Sequence, residues 1–227
     1  MMAGRADVCS ESCSPAAKAK SRNSISPSFD SVWLRMPRAG MGASMARLAK
    51  RRASLNRGLI RAAAESAPAG ITIDMLDLAD IPLFNQDVED AGDPASVAFF
   101  KQAIAMADAV LVATPEHNHG VPGVLKNAID WASRPRATSP LEDKPIAIMG
   151  ASPGRGSTAR AQAQLRDMFV FTGACVMPLP ELLVGTAAAH FDSAGDVTDP
   201  ELRASIVELV QALDRWTRRL QVRGEAA

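Results

Sequence analysis

Three stretches of this chain carry polar side chains, glycines and prolines at spacings suited to a ligand. The first is Lys50-Arg51-Arg52-Ala53-Ser54-Leu55-Asn56, where cations, a hydroxyl and an amide gather at what reads as the start of a helix. Helix N-termini expose unpaired amides, so such a set suits a phosphate; it also suits an ordinary cap among solvated basic residues. The second runs from Thr114 to Gly123, TPEHNHGVPG. Its prolines and glycines fix its path, and a rigid polar loop is suited to holding a planar heterocycle by backbone groups. His117 and His119 stand two apart, but His190 is far along the chain with no cluster of ligands, so no metal is expected. The third stretch, Gly150-Ala151-Ser152-Pro153-Gly154-Arg155-Gly156-Ser157, lets a backbone approach a ligand closely, or simply turns a strand into a helix. It lacks the Gly-Lys-Ser/Thr ending of a Walker A loop and does not follow a first strand as a dinucleotide fingerprint does.

Alternating strands and helices must position these loops. Ser54 caps a predicted helix to about Ser66, with Leu55, Leu59, Ile60 and Ala63 on one face. Ile71–Leu78 alternates like a half-buried strand near a sheet edge. Pro94 opens a helix through Ala107 whose core face is Val97, Phe100, Ile104 and Met106. Ala109–Ala113 and Pro145–Gly150 are continuous apolar runs, the pattern of parallel strands covered on both faces. Helices are predicted from Pro122 to about Ser133, from Ser157 to Phe171 and from Pro200 to Leu220, with a short strand at Cys175–Met177. The fold class is therefore α/β, a doubly wound parallel five-stranded sheet in the flavodoxin-like order 2-1-3-4-5. Ligands of such sheets sit at the carboxyl ends of the strands, where the second and third stretches lie.

Composition excludes several classes. The 227 residues are 47% apolar and 22% charged, which fits one soluble domain, and no run of about 20 apolar residues is present to span a bilayer. Cys9, Cys13 and Cys175 make neither a disulfide framework nor a zinc site, so a reducing, cytoplasmic setting is expected. Residues 1–57 hold 11 Lys and Arg against 3 Asp and Glu, and the rest hold 14 against 22. The basic part has no interleaved aromatics, so its charges are read as solvated and no nucleic-acid partner is expected.

Thr114–Pro135, TPEHNHGVPGVLKNAIDWASRP, resembles the signature of the NADPH-dependent FMN reductase family, whose members include bacterial quinone, chromate and azo-dye reductases. The resemblance extends through Asp77–Asp87 (DLADIPLFNQD), Ser54-Leu55-Asn56 and the Gly-Arg-Gly loop, over about residues 50–220. It implies a flavodoxin-like fold that binds FMN without a covalent link. Ser54 and Asn56 would hold its phosphate. Pro115, Glu116, His117, Asn118 and Gly120 would line the isoalloxazine, with His117 where many members have Tyr. Ser152, Gly154 and Gly156 would form the far edge of the pocket. NADPH or NADH would give hydride to flavin N5, and a quinone, azo dye, metal oxyanion or free flavin would accept it. The cofactor carries this chemistry, so no catalytic acid or base is named. The resemblance also implies a homodimer or homotetramer with the helix around Lys126–Trp131 near an interface. Asn127, Asp130 and Trp131 read as structural or interface residues, and Met149 and Met168 as core.

One departure from that pattern is large. Family members open with a buried strand ending in Gly-Ser-Leu-Arg, whereas this chain has Met45-Ala46-Arg47-Leu48-Ala49-Lys50 there. The expectation is that the first, central strand is missing or degenerate, leaving residues 1–49 disordered ahead of an FMN-binding domain over 50–222. Codons for Gly-Ser-Leu read one base earlier after a C give Arg-Leu-Ala, the residues found at 47–49, so an out-of-frame segment would account for the gap. A transit peptide would also be rich in Arg and Ser, but would precede an intact strand. Ser31–Met36 offers a makeshift strand, although 17 residues then separate it from Ser54. The rival function is a non-catalytic remnant that lost FMN with its first strand and phosphate loop.

Overall fold

Ser54 marks the entry of the chain into its folded part. Its hydroxyl accepts the Arg57 amide at 3.2 Å, which satisfies an orphan donor of the first turn, and α1 (Leu55–Glu65) follows. Leu59, Ile60 and Ala63 lie fully buried on one face of α1, with Leu55 packed at its margin. The computed structural model describes residues 32–35 and 54–224. Within these, α1 is followed by β2 (Asp74–Leu76), α2 (Gln86–Asp90), α3 (Ala95–Ala105), β3 (Val110–Ala113) and α4 (Gly123–Ala132). Then come β4 (Pro145–Ala151), α5 (Ala159–Phe171), β5 (Cys175–Val176), β6 (Leu182–Val184) and α6 (Pro200–Gly224).

Every residue of β3 and β4 is buried, as their unbroken apolar runs require. Alternate side chains feed two cores. Leu111, Ala113, Ala147 and Met149 pack with α1 and α6, while Val110, Val112, Ile146 and Ile148 pack with α3, α4 and α5. Each large side chain withdrawn from water this way contributes about 1.5–3 kcal/mol. Helices thus cover both faces of a sheet whose order, with β1 at Val32–Arg35, is β2-β1-β3-β4-β5, the flavodoxin-like 2-1-3-4-5.

The central slot holds β1 (Val32–Arg35), taken from the segment expected to lie outside the fold. It runs antiparallel to both neighbours, pairing Trp33 with Leu76 and with Val112. The remaining residues of 1–53, including Met45–Lys50, lie outside the described residues. The other pairings of the sheet are parallel, β3 with β4 and β4 with both β5 and β6.

Two readings of the sequence differ from what is observed. The edge beside β4 is two short strands rather than one, because Pro178 and Pro180 interrupt the ladder and β6 resumes it opposite Met149–Ala151. Met106 is 45% exposed instead of core, since α3 ends at Ala105 and Met106 is its C-cap.

Candidate functional site

The loop after β3 is built as a small hairpin. Thr114 is buried at its root, its amide donating to Met149 O and its hydroxyl to Pro115 O. His117 and Gly120 then exchange both backbone bonds, His117 N to Gly120 O at 3.0 Å and Gly120 N to His117 O at 2.9 Å. Between them Asn118 (φ 51°) and His119 (φ 63°) both adopt the left-handed conformation, so residues 117–120 form a type I′ turn. Asn tolerates that region better than most residues with a side chain. His117, Asn118 and His119 are exposed, while Pro115 is buried.

Helix α5 holds this hairpin from one side. Thr158 makes no side-chain cap for α5. The Glu116 carboxylate takes its place, accepting the Arg160 amide at 2.9 Å and the Ala161 amide at 3.2 Å. Arg160 Nη1 adds a longer contact at 3.4 Å. Burial pushes the Glu116 carboxyl upward, but the Ala161 and Arg160 amides and the Arg160 guanidinium outweigh it and hold it below the usual range. One turn further on, Gln164 Oε1 accepts the Val121 amide at 3.1 Å and its Nε2 reaches His119 O at 3.4 Å.

The loop after β4 forms the facing rim. Gly150 is required by its surroundings, since a Cβ there would lie 2.3 Å from both Thr114 O and Thr158 Oγ1. Ser152 is tied by its amide to Val184 O and by its carbonyl to Ala187 N, and its hydroxyl accepts the Gly154 amide at 3.3 Å. Gly154 and Gly156 are exposed. A Cβ would meet nothing nearer than 3.7 Å at the first and 3.8 Å at the second, so their bareness keeps the rim open rather than relieving a clash. Beneath the rim, Ser157 Oγ and Gln162 Oε1 are buried without a hydrogen-bond partner.

Ser54 and Asn56 come to the same edge of the sheet, the carboxyl end of β4, and each has a partner within the protein. Asn56 is 1% exposed and pairs with both backbone groups of Ala151, Nδ2 to its carbonyl at 3.1 Å and Oδ1 from its amide at 2.9 Å. The amide side chain extends the β4 ladder and fastens α1 to it. Ser54 Oγ accepts from Arg57 N and keeps its own proton to donate. Arg57 is engaged with Asp77 at 2.8 Å, binding α1 to the chain after β2. What α1 offers an anion is therefore its first-turn amides and the Ser54 hydroxyl; Lys50, Arg51 and Arg52 lie outside the described residues.

Asn127 and Trp131 serve the frame. Asn127 accepts the Phe84 amide and donates to Pro82 O, each at 2.8 Å, and Trp131 Nε1 donates to the same carbonyl at 2.8 Å. The Trp131 ring is fully buried, edge-on to Phe84 with centroids 5.0 Å apart. His190 is engaged with Asp199 ahead of α6. Among the described residues no three His, Cys, Asp or Glu side chains group as a metal site. Gln164, Gln162 and Thr158 were not legible as site residues, because inside a helical pattern a polar residue carries no mark of the loop it will meet.

An FMN-shaped group fits this arrangement in its donor set. The hairpin backbone and the bare glycine rim suit a flat ring, the orphaned Ser157 hydroxyl lies beneath that rim, and the α1 N-terminus suits a phosphate.

Comparison with known proteins points the same way. The model of a family described as NADPH-dependent FMN reductase matches residues 49–189. An NAD(P)H-dependent FMN reductase of Pseudomonas aeruginosa is 44% identical over 171 residues, covering 75% of this chain and 92% of the relative. A 2-hydroxy-1,4-benzoquinone reductase of a Burkholderia species is 38% identical over 168 residues, covering 74% and 91%. Among solved structures, the flavoenzyme NAD(P)H:(acceptor) oxidoreductase of Paracoccus denitrificans superposes with a TM-score of 0.68 at 36% identity, over 74% of this chain and 92% of that one.

Proposed function

Because the chain belongs to the NADPH-dependent FMN reductase family, we propose that it is an FMN-dependent oxidoreductase that moves hydride from NAD(P)H to a small acceptor, with a quinone the first to test. The observation that carries the reading is the type I′ hairpin at residues 117–120, held by α5 on one side and facing an uncovered glycine rim. FMN bound there would supply the redox chemistry, serving as the two-electron relay between the nicotinamide and the acceptor.

The chain's own residues orient and support. Backbone groups of Pro115–Gly120 line one side of the ring site, with the His117 side chain exposed beside it. Ser152, Gly154 and Gly156 bound the opposite rim without side chains that would block two successive partners. Ser54 donates its hydroxyl proton toward the phosphate, and Asn56 keeps α1 and β4 at the spacing this requires. No acid–base pair is needed of the protein. No helix among the described residues is long and apolar enough to cross a membrane. The working location is the cytoplasm, and the assembly is a homodimer or homotetramer with α4 near its interface, which light scattering measures directly.

One observation favours the rival, a remnant without flavin. β1 ends at Arg35 beside Val110, the opposite end of the sheet from Ser54, so it does not lead straight into the phosphate-facing turn of α1. Purification and titration decide between them. A yellow protein, or a colourless one that takes up FMN stoichiometrically and then oxidises NAD(P)H with a benzoquinone, supports the enzyme. A protein that stays colourless in excess FMN supports the remnant.

A further inference from the structure

A four-residue hairpin with a single pair of internal bonds is a weak structure on its own. Residues 117–119 are exposed and join neither core, so burial does not fix them. Two contacts with α5 do. Ahead of the turn, the Glu116 side chain is only 8% exposed and is engaged by two amides of the first turn of α5. Beyond the turn, Gln164 holds the Val121 amide and reaches back to His119 O. Residues 160, 161 and 164 are about one turn apart, so one face of α5 grips both arms of the hairpin. Gly120 belongs to the same device. A Cβ there would stand 3.0 Å from Gln164 Oε1, so the tip of the glutamine lies directly against it.

We propose that Glu116 and Gln164 are positioning residues, which clamp the ring-facing hairpin onto α5 and so preset its backbone for the flavin. This rests on the hairpin being the flavin-facing edge. It moves Glu116 and Gly120 from contact with the ring to support behind it. It also brings in Gln164, a residue that composition and motif leave unmarked.

Two measurements on the full chain test it. Amide exchange on flavin-free protein reads the clamp directly, and FMN titration reads its consequence. E116A and Q164A are each expected to speed exchange of the bonded hairpin amides, His117 and Gly120, about tenfold and to weaken FMN binding by a similar factor, leaving exchange in β3 and β4 unchanged. E116Q keeps an oxygen for the Arg160 and Ala161 amides and recovers most of the loss, which a merely tolerated carboxylate would not show. Unchanged hairpin exchange in both alanine variants overturns the proposal. So does FMN affinity within about threefold of the wild type, or an E116Q no better than E116A. Should the wild type itself take up no FMN, the flavin reading falls while hairpin exchange still decides whether α5 fixes the loop.

Discussion

Asn56→Ala separates two roles that the sequence leaves entangled, phosphate ligand and structural clasp. In the structure the side chain pairs with both the amide and the carbonyl of Ala151, the last residue of β4, at 2.9 and 3.1 Å. Alanine leaves both backbone groups buried and unpaired, at about 1–3 kcal/mol each. A total near 3 kcal/mol corresponds to a drop of about 6–12 °C in melting temperature for a domain of this size. Asn56→Asp does no better, since it keeps an acceptor for the Ala151 amide but turns a carboxylate oxygen toward the Ala151 carbonyl. The assay is thermal unfolding of flavin-free protein, monitored by circular dichroism, alongside FMN titration of both variants. A phosphate ligand would leave the flavin-free melt untouched and weaken FMN binding alone. The clasp is refuted if the flavin-free alanine variant melts within about 2 °C of the wild type.

The two rims give a paired prediction. Gly150→Ala drives a Cβ to 2.3 Å from a backbone carbonyl and a short branched side chain, neither able to yield, and is expected to cost about 3 kcal/mol or more in urea unfolding. Gly154→Ala meets nothing within 3.7 Å, so it is expected to change stability by less than about 0.5 kcal/mol. Its effect is instead on FMN affinity, which titration measures. Asp77 carries a pH dependence. Burial raises its carboxyl, but the bond from Arg57, the Ala79 amide and the Arg57 charge prevail and hold it below the ordinary value. A depressed folded value means the group stabilises above the unfolded carboxylate range and loses that contribution as pH falls through the folded one. Asp77→Asn is thus expected to lower stability at neutral pH by under about 1 kcal/mol, the carboxylate being half exposed. The difference from wild type should vanish in acid, and a gap that persists there refutes the pairing.

Where two faces of an element are both covered, the sequence was legible. β3 and β4 had to be unbroken apolar runs because helices lie on both sides, and the loops that follow them were marked by their glycines and prolines, although the turn after β3 is made by Asn118 and His119. Trp131, read as a structural or interface residue, is buried in the frame. What failed to show were relations across the fold. Asn56 at a helix start looks the same whether it meets a ligand or Ala151. Gln164 looks like any polar helix residue until Val121 is placed against it. Glu116 was marked by its motif, but that its carboxylate accepts the Arg160 and Ala161 amides of α5 was not. β6 is only three residues long, too short for a period to declare itself, and is defined by the ladder of β4. The role of these residues is set by a partner distant in sequence, and no local pattern records the partner.

The direction of β1 is such a relation, and it bears on the first 49 residues. β2 and β3 both need a strand between them, or two rows of amides and carbonyls go unpaired. Val32–Arg35 is rich enough in β-favouring residues to serve, and an antiparallel strand satisfies that need as well as a parallel one. Hydrogen bonding therefore explains the occupancy of the slot without explaining its connection. A doubly wound sheet joins its first strand to α1 by a short turn at the carboxyl edge, whereas Arg35 stands at the amino end of β3 and 18 residues separate it from Ser54. We propose that residues 1–49 are translated out of frame, and that another reading frame upstream of the Lys50 codon encodes an apolar strand ending in Gly-Ser-Leu, parallel to β2 and β3. Such a strand would place its last amides beside Ser54 and complete the phosphate end. The coding DNA upstream of the Lys50 codon is the measurement. If neither alternative frame yields that strand, the antiparallel β1 is the native solution of this chain.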